Sequence, residues 1–521
     1  LDDLGSGQFQ PIAETLTEGD FDPALVEFVS RQKGIRSYEN DEALEAARKA
    51  MPTIAHLAEE GLSFRNAYAA SALCSPARCG IMTGIHPNRL GVYNNIDVSR
   101  LPGAVKPEQI LVPLLQDAGY ATALIGKWHI SPLNEVEAES ILEKHGLPLD
   151  TYLHSIPKES PAGKELVESG FFGSSIPELH PNAVGFDYYY GYNFHQSKFY
   201  DDYNVWENDQ HAGLQDGYNT ETFTDRAIDF MKTASEKEEP FFVSLNYHAV
   251  HGPLFPKPPA EYMEPFEGLP VILQNFYGHV YAVDQSIRNI LKYLERNDLL
   301  ENTCIVFTSD NGGAVSRDNT LPGNAPHRGQ KGQYLLGGVH VPMVVSWPER
   351  ICKGRTDDEL VSHLDLIPTA LDAAGIEIPE GIDGQSMLPL IEGASKGSHE
   401  SLVWFGLQSI SWGFELEKSL VGEGVRNLEP GTWIVIDNDY VIRYVGTLAP
   451  GLYRDLPEGQ APQFELYDIK KDPGQIKNIY KSSPEIVARM TEIARQQAKD
   501  LPPPLHWRRG AWQELINSLK P

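Results

Sequence analysis

The residues of this chain best equipped for chemistry lie in one stretch, Cys74-Ser75-Pro76-Ala77-Arg78-Cys79-Gly80-Ile81-Met82-Thr83-Gly84. Pro76 has the fixed φ that suits the first position of a helix, which puts Cys74 and Ser75 at or just before its N-terminus. Gly84 suits a left-handed end to the same short helix. Arg78 lies four residues after Cys74 and shares its face if the helix starts this early. Unpaired N–H groups, the positive end of the helix dipole and a guanidinium then converge on one sulfur. That is an anion pocket with a nucleophile in it.

Other readings of the stretch fit less well. A short helix with a merely buried cysteine is the plain one. A zinc site lacks a second ligand pair, since Cys304 and Cys352 stand alone. A thiolate phosphatase wants its arginine six residues after the cysteine, where this chain has Gly80.

Further polar residues stand at the ends of apolar runs. Tyr120–Ile125 predicts a buried strand, followed by Gly126-Lys127-Trp128-His129. Phe241–Leu245 predicts another, followed by a run holding His248 and His251. Thr303–Thr308 predicts a third, followed by Asp310-Asn311. In an open α/β sheet, ligand residues gather at such strand ends. Asp2 and Asp3 are adjacent carboxylates, which at a terminus read as a solvated pair or, at the end of a strand, as ligands suited to a hard cation. Between Tyr188 and Trp206, aromatic residues interleave with polar ones, His195 and Lys198 among them. This segment reads either as core packing or as a sugar-stacking wall.

Cys-x-Pro-x-Arg followed by x-x-x-apolar-Thr-Gly resembles the signature of the type I, formylglycine-dependent sulfatases of the alkaline-phosphatase superfamily. Gly119-Tyr120 through Lys127-Trp128-His129 resembles the second signature of that family. Leu1-Asp2-Asp3-Leu4-Gly5 resembles the end of its first strand, whose apolar part is not in the sequence given. His251 matches a histidine that precedes x-Pro, Asp310-Asn311 a second pair of metal ligands, and Lys331 in Arg328-Gly329-Gln330-Lys331 a sulfate-binding lysine. His340 departs from the pattern, standing where the family often has arginine. The resemblance runs from Leu1 to about Tyr480.

The resemblance implies a doubly wound α/β fold with a mixed, largely parallel sheet of alkaline-phosphatase type, and a smaller C-terminal α+β subdomain. Cys74 would be oxidised to formylglycine by a maturation enzyme. Ca²⁺, with Mg²⁺ as the alternative, would be held by Asp2, Asp3, Cys74, Asp310 and Asn311. Arg78, Lys127, His129, His251 and Lys331 would be catalytic, with His251 as general acid and His129 deprotonating the second hydroxyl of the formylglycine hydrate. His195, Lys198 and Arg328 are candidates for substrate binding. The expected reaction is hydrolysis of sulfate esters on a carbohydrate, an algal galactan such as carrageenan being the guess. The other readings are a phosphonate or phosphate ester hydrolase of the same superfamily, or a glycan binder without activity if Cys74 stays unmodified. A periplasmic or secreted location is implied by the same resemblance.

The elements that must position these residues follow from length and pattern. At 521 residues the chain can bury a large core, and 41% hydrophobic content marks it as globular. A catalytic domain is expected over residues 1–395. After about Ser395 the pattern changes to short alternating segments, predicting a four-stranded antiparallel sheet packed by a helix over 484–499, within a subdomain of residues 396–521. Asn40–Leu57 predicts a helix that Pro52 kinks or splits, and Gly61 ends it. The 55 residues Ile130–Val184, joining two strand ends, read as a long crossing of the kind that forms lids or binding walls. A net charge of −29 argues against a nucleic-acid partner, and no run approaches the ~18 apolar residues of a membrane helix. In salty surroundings a Debye length of about 3–5 Å still lets a local basic pocket capture an anionic sugar.

Overall fold

The computed structural model describes residues 1–32, 37–96, 105–149, 151, 153–315, 319–351, 353–394, 396, 397, 399–407, 431–445, 463–503 and 515–519. In chain order the strands are β1 (Leu62–Tyr68), β2 (Ala121–Lys127), β3 (Tyr188–Tyr192), β4 (Trp206–Glu207), β5 (Gln210–His211), β6 (Phe241–Asn246), β7 (Ile305–Thr308), β8 (Met343–Ser346), β9 (Arg355–Ser362), β10 (Leu402–Leu407), β11 (Gly431–Ile436), β12 (Tyr440–Val445) and β13 (Gln463–Asp468). They form three sheets, in the orders β5-β4-β3-β2-β6, β7-β8-β1-β9 and β10-β11-β12-β13.

The first two sheets are mixed. β2 runs parallel to both β3 and β6, and β1 parallel to β9, while β4, β5 and β8 pair antiparallel to their neighbours. A strand with a parallel neighbour on each side is covered on both faces, so β2 reads as a nearly continuous buried run. Gly126 is required there. Its φ is 95°, and a Cβ would stand 2.0 Å from the Asn246 carbonyl oxygen, pushing β6 off its partner.

Pro52 splits the predicted helix in two, Asn40–Ala47 and Pro52–Glu60, because proline can open a helix but not continue one. Sequence pattern missed β1 and β9. Five of the eight residues of β9 are charged or Thr, and only its last three are buried. The crossing between β2 and β3 is not structureless. It holds the helices Val136–Lys144 and Pro161–Glu168, with Lys144 and His145 both reaching Glu165. Asn193, just past β3, ties the crossing down by donating to the carbonyls of Ser131 and Ser174.

The C-terminal sheet is an antiparallel meander, as expected, and the Pro484–Ala498 helix packs Met490 and Ala494 onto Trp433, Val435 and Ile442. Its other face meets the larger part of the chain. Trp404, 2% exposed, shares a cluster with Tyr68 and Leu336 and donates its indole N–H to the Ala69 carbonyl at 3.0 Å. Burying a side chain of this size contributes about 1.5–3 kcal/mol, so the sheet braces the segment that leads to Cys74. Among the described residues no helix is long and apolar enough to cross a membrane.

A titratable contact sits where the chain passes into the C-terminal sheet. His399 Nε2 lies 2.7 Å from Asp365 Oδ1, and the same carboxylate accepts from the Ser362 and Gln385 backbone N–H groups. Burial lowers the His399 pKa, but the hydrogen bond and charge of Asp365 outweigh it, and the pKa ends above 6.5. A folded-state pKa raised in this way gives stability that is present below the unfolded value and is lost as pH rises through the folded one. His399→Gln should therefore lower Tm at pH 6 more than at pH 9, measured by circular dichroism melts at matched ionic strength. A difference independent of pH would assign the contact to packing alone.

Candidate active site

Six chain segments deliver the site: Asp2 and Asp3, the helix starting at Cys74, the end of β2, the stretch after β6, the stretch after β7, and the loop that holds Lys331. Leu1 and Asp2 lie between the ends of β6 and β7. The Leu1 nitrogen donates to the Thr308 carbonyl, the Asp310 N–H to the Leu1 carbonyl, and the Asp2 N–H to the Ala249 carbonyl. β2 ends at Lys127, and the helix Cys74–Thr83 starts at Cys74 itself. Pro76 is thus its third residue rather than its first, and of the N–H groups in this first turn the one on Ser75 donates to Asn95 Oδ1 at 3.2 Å. Gly84 closes the helix at φ 62°, as its position suggests.

Three carboxylates and three cations pair off in this space. Lys127 Nζ donates to Asp2 Oδ2 at 2.6 Å, Lys331 Nζ to Asp3 Oδ1 at 2.6 Å, and Arg78 to Asp310 Oδ2 at 2.9 and 3.2 Å. Arg78 also donates to the Lys127 carbonyl at 3.0 Å, which Asn246 Nδ2 shares at 2.9 Å. All six side chains are buried. Burial alone would lift Asp2, but Lys127, His251, Arg78 and Lys331 hold it well below the usual carboxylate range. Asp3 goes the other way. Burial, opposed by Lys331 but aided by Asp2 and Asp310, raises it to about 6.

Oxygen atoms of Asp2, Asp3 and Asp310 lie within 4.8 Å of one another. Asn311 donates its Nδ2 to Asp3 Oδ1 at 2.7 Å, while its buried Oδ1 has no hydrogen-bond partner. A buried carbonyl oxygen without a donor is costly unless something electropositive meets it. Three convergent carboxylates and this orphaned oxygen fit a hard divalent cation, and the raised Asp3 is what an anionic cluster shows without one. Cys74 Sγ is 3.7 Å from Asp2 Oδ1, and burial pushes its thiol up to about 12 against the pull of Lys127 and Lys331.

Two histidines face this cluster from the segment after β6. His251 Nδ1 is 2.6 Å from the Gly252 carbonyl, a contact that puts the proton on Nδ1, and its Nε2 is 3.8 Å from Asp3 Oδ2. Burial, then Lys331, keeps its pKa well below 6.5. His248 turns its Nδ1 to the Tyr192 hydroxyl at 3.1 Å, and burial holds it at about 3. His129 is buried two residues past β2 in a left-handed backbone with φ 57°, uncommon outside glycine.

The structure thus brings together Asp2, Asp3, Cys74, Arg78, Lys127, His251, Asp310, Asn311 and Lys331. The three substrate candidates stand elsewhere. The His195 carbonyl accepts from Lys127 Nζ at 2.8 Å, so its half-buried side chain starts at the rim of the cluster. Lys198 is exposed and reaches the Asp201 carbonyl. Arg328 pairs with Glu465 of β13 at 3.1 Å and lies over the Tyr467 ring. The aromatic segment is mostly core, since Tyr189, Tyr190, Tyr192, Phe194 and Phe199 are buried. His340 is a structural residue, bridging Ser6 and the Arg65 carbonyl. Sequence reading gave no role to Asn246 or Tyr192. Asn246 carried a signal, as the last residue of a strand whose end holds histidines. Tyr192 carried none beyond its aromatic neighbours.

A family model for sulfatases matches residues 37–376, well over half of the chain. The chain is 31% identical over its whole length to the uncharacterized sulfatase YdeN of Escherichia coli (strain K12), of which it spans 87%. It is 29% identical to the N-acetylgalactosamine-6-sulfatase of Mus musculus, over 65% of this chain and 61% of that protein. Among solved structures, Ps i-CgsB in complex with k-i-k-neocarrahexaose superposes with a TM-score of 0.68 at 23% identity, covering 97% of this chain and 92% of that one. That likeness carries the fold, which is of alkaline-phosphatase type, and it extends over both the mixed sheets and the C-terminal meander. Sequence family and architecture agree with the anion-ready cluster around Cys74: this chain belongs to the sulfatases and is a sulfuric ester hydrolase.

Proposed function

We propose that the chain removes sulfate from a sulfated oligo- or polysaccharide, using formylglycine made from Cys74. The observation that carries this reading is the Cys74 side chain itself. It sits at a helix N-terminus beside Asp2 and near Lys127 and Lys331, yet burial pushes its thiol up to about 12, which leaves it a poor nucleophile at neutral pH. Oxidation by a maturation enzyme gives it a function: one hydroxyl of hydrated formylglycine is the nucleophile toward sulfur and becomes sulfated, and loss of the proton from the second hydroxyl re-forms the aldehyde and expels sulfate with the first oxygen. The Sγ of Cys74 marks where those oxygens would stand.

Asp2, Asp3, Asp310, Asn311 and the oxidised Cys74 would hold Ca²⁺, or Mg²⁺, whose charge aligns the hydrate with the ester. Three carboxylates balance three cations, so a divalent ion leaves the pocket positive, as an anionic ester requires. Lys127 and Lys331 bind sulfate oxygens, and Arg78 holds Asp310 while facing Asp2 at 4.0 Å. His251 delivers a proton from Nε2 to the departing sugar oxygen, and the ester's negative charge offsets the burial that disfavours its imidazolium. His129 takes the proton that frees sulfate. His195, Lys198 and Arg328 are proposed to contact the sugar beyond the sulfate.

For the glycan, the named relatives give support: one is an N-acetylgalactosamine-6-sulfatase, and one structure was solved with a carrageenan hexasaccharide. A carrageenan-like galactan is the proposal for this chain. A polymeric anion does not cross a bilayer, so the enzyme would meet it in the periplasm or outside the cell. The test is a desulfation screen on defined carrageenan and glycosaminoglycan oligosaccharides, run beside aryl sulfate, phosphate and phosphonate esters. Turnover of the phosphonate or phosphate in preference to every sulfate would overturn the reading.

Metal removal gives a separate expectation. EDTA should abolish activity and added Ca²⁺ should restore it. Asp310→Asn should do the same without rescue while sparing some of the hydrogen bonding to Arg78, whereas alanine leaves a buried guanidinium unpaired, at a cost of about 3–5 kcal/mol. Elemental analysis finding stoichiometric zinc in the purified enzyme would contradict an all-oxygen ligand set.

A further inference from the structure

Phe255 is 63% exposed, and it is the one aromatic among the large apolar side chains that the described residues leave in water. A single exposed apolar residue is ordinary by itself. Here the backbone on both sides is fixed. Leu254, just before it, is 4% exposed, and its carbonyl accepts from Asn275 Nδ2 at 2.8 Å and from His279 Nε2 at 3.2 Å. His279 is held in turn by the Tyr218 hydroxyl at 2.7 Å and by the Phe199 ring, 3.8 Å between centroids. Pro258, just after, is buried against Gly278, where even a Cβ would come within 2.9 Å of its ring. Pro253 and Pro256 restrict the φ angles between these anchors. Phe255 is therefore presented to solvent by a braced loop rather than left there by a loose one.

The loop is the continuation of the segment that carries His251. Four residues of extended chain span at most about 14 Å, so Phe255 lies within a few sugar units of the His251 Nε2 that faces Asp3. Lys257, two residues on, is exposed and has no carboxylate partner among the described residues, in a chain whose net charge is −29. An exposed ring offers a flat apolar face to the C–H side of a pyranose. An exposed ammonium beside it offers a point charge to an anionic substituent.

We propose that Phe255 and Lys257 form a glycan subsite next to the catalytic cluster. The ring stacks on a sugar neighbouring the one that loses sulfate, and the ammonium meets a sulfate or carboxylate further along the same chain. This rests on the sulfated-glycan reading above, and it adds that the enzyme selects for more than one sugar unit.

The test compares two substrates on the full, matured chain: the sulfated tetrasaccharide that the wild type turns over best in the screen, and 4-nitrophenyl sulfate. Phe255→Ala should raise KM for the tetrasaccharide roughly five- to tenfold with little change in kcat, the range expected of one aromatic contact. The loss on the tetrasaccharide should exceed that on the aryl ester by at least fivefold, and Phe255→Trp should recover it. Lys257→Gln should raise KM for the tetrasaccharide and flatten its dependence on NaCl. Binding of the tetrasaccharide to the Cys74→Ala chain, measured by calorimetry with and without Phe255→Ala, should weaken by the same factor. Equal KM in wild type and Phe255→Ala, with tetrasaccharide turnover intact, overturns the subsite and leaves the glycan reading standing. A wild type that desulfates aryl esters but no glycan overturns both.

Discussion

Cys74→Ala removes sulfate-ester hydrolysis and keeps the fold. The loss expected when a nucleophile is deleted is about 10⁵–10⁶-fold in kcat, which for this reaction means activity below detection. The structural cost is small. Cys74 is fully buried, and replacing its Sγ by hydrogen deletes one heavy atom beside Asp2, worth about 1 kcal/mol. The helix keeps its Gly84 terminus and the Arg78–Asp310 pair. Turnover of sulfate esters should be read beside the melting curve and the mass of the peptide holding Cys74. The wild-type peptide should show conversion of the cysteine to the aldehyde. Wild-type activity in the alanine variant would place the nucleophile elsewhere.

His251→Ala lowers kcat on alkyl and sugar sulfates by about 10²–10⁴-fold, the range that general acid catalysis supplies. A nitrophenyl sulfate should suffer much less, because its leaving group departs without a proton. The geometry behind this is directional. The Gly252 carbonyl occupies Nδ1 at 2.6 Å and so leaves Nε2 as the atom that faces the carboxylates and any bound ester. His248 is a poorer candidate because its ring is held by the Tyr192 hydroxyl at 3.1 Å, whereas His251 Nε2 stands 3.8 Å from Asp3 Oδ2 in the cluster. Equal losses on both substrates would show that His251 binds sulfate instead of protonating the sugar oxygen.

Much of this site was legible because it is built from strand ends. Lys127, Asp310 and Asn311 each follow a run of apolar residues that announces a buried strand, and the helix punctuation around Cys74 is local chemistry. β1 escaped because its register shifts between Phe64 and Asn66 and breaks the alternation, and β9 because its first five residues are polar. Arg328 is a candidate for substrate binding by its place three residues before Lys331, and its pairing with Glu465 was not legible, because which way a loop turns its side chains is decided by partners far away in sequence. The aromatic run was ambiguous for the same reason. Stacking wall and core have the same composition, and only the packing of Phe199 on His279 and of Tyr190 on Phe223 shows that it faces inward.

The closure of the cluster also sets a clock. Cys74 is walled in by groups from both ends of the catalytic region, and the Lys331–Asp3 pair joins residues 328 positions apart. At a synthesis rate of about 5–20 residues per second, Lys331 follows Cys74 out of the ribosome by on the order of ten to fifty seconds. Until then the Asp3 carboxylate has no ammonium, the pocket cannot shut, and Cys74 is part of a chain that another protein can grip. Afterwards its sulfur has no exposed surface for an oxidising enzyme to reach. If Cys74 is oxidised by a maturation enzyme as proposed, that step is a race against folding, and a faster-folding or prematurely released chain would be trapped as a stable, inert thiol.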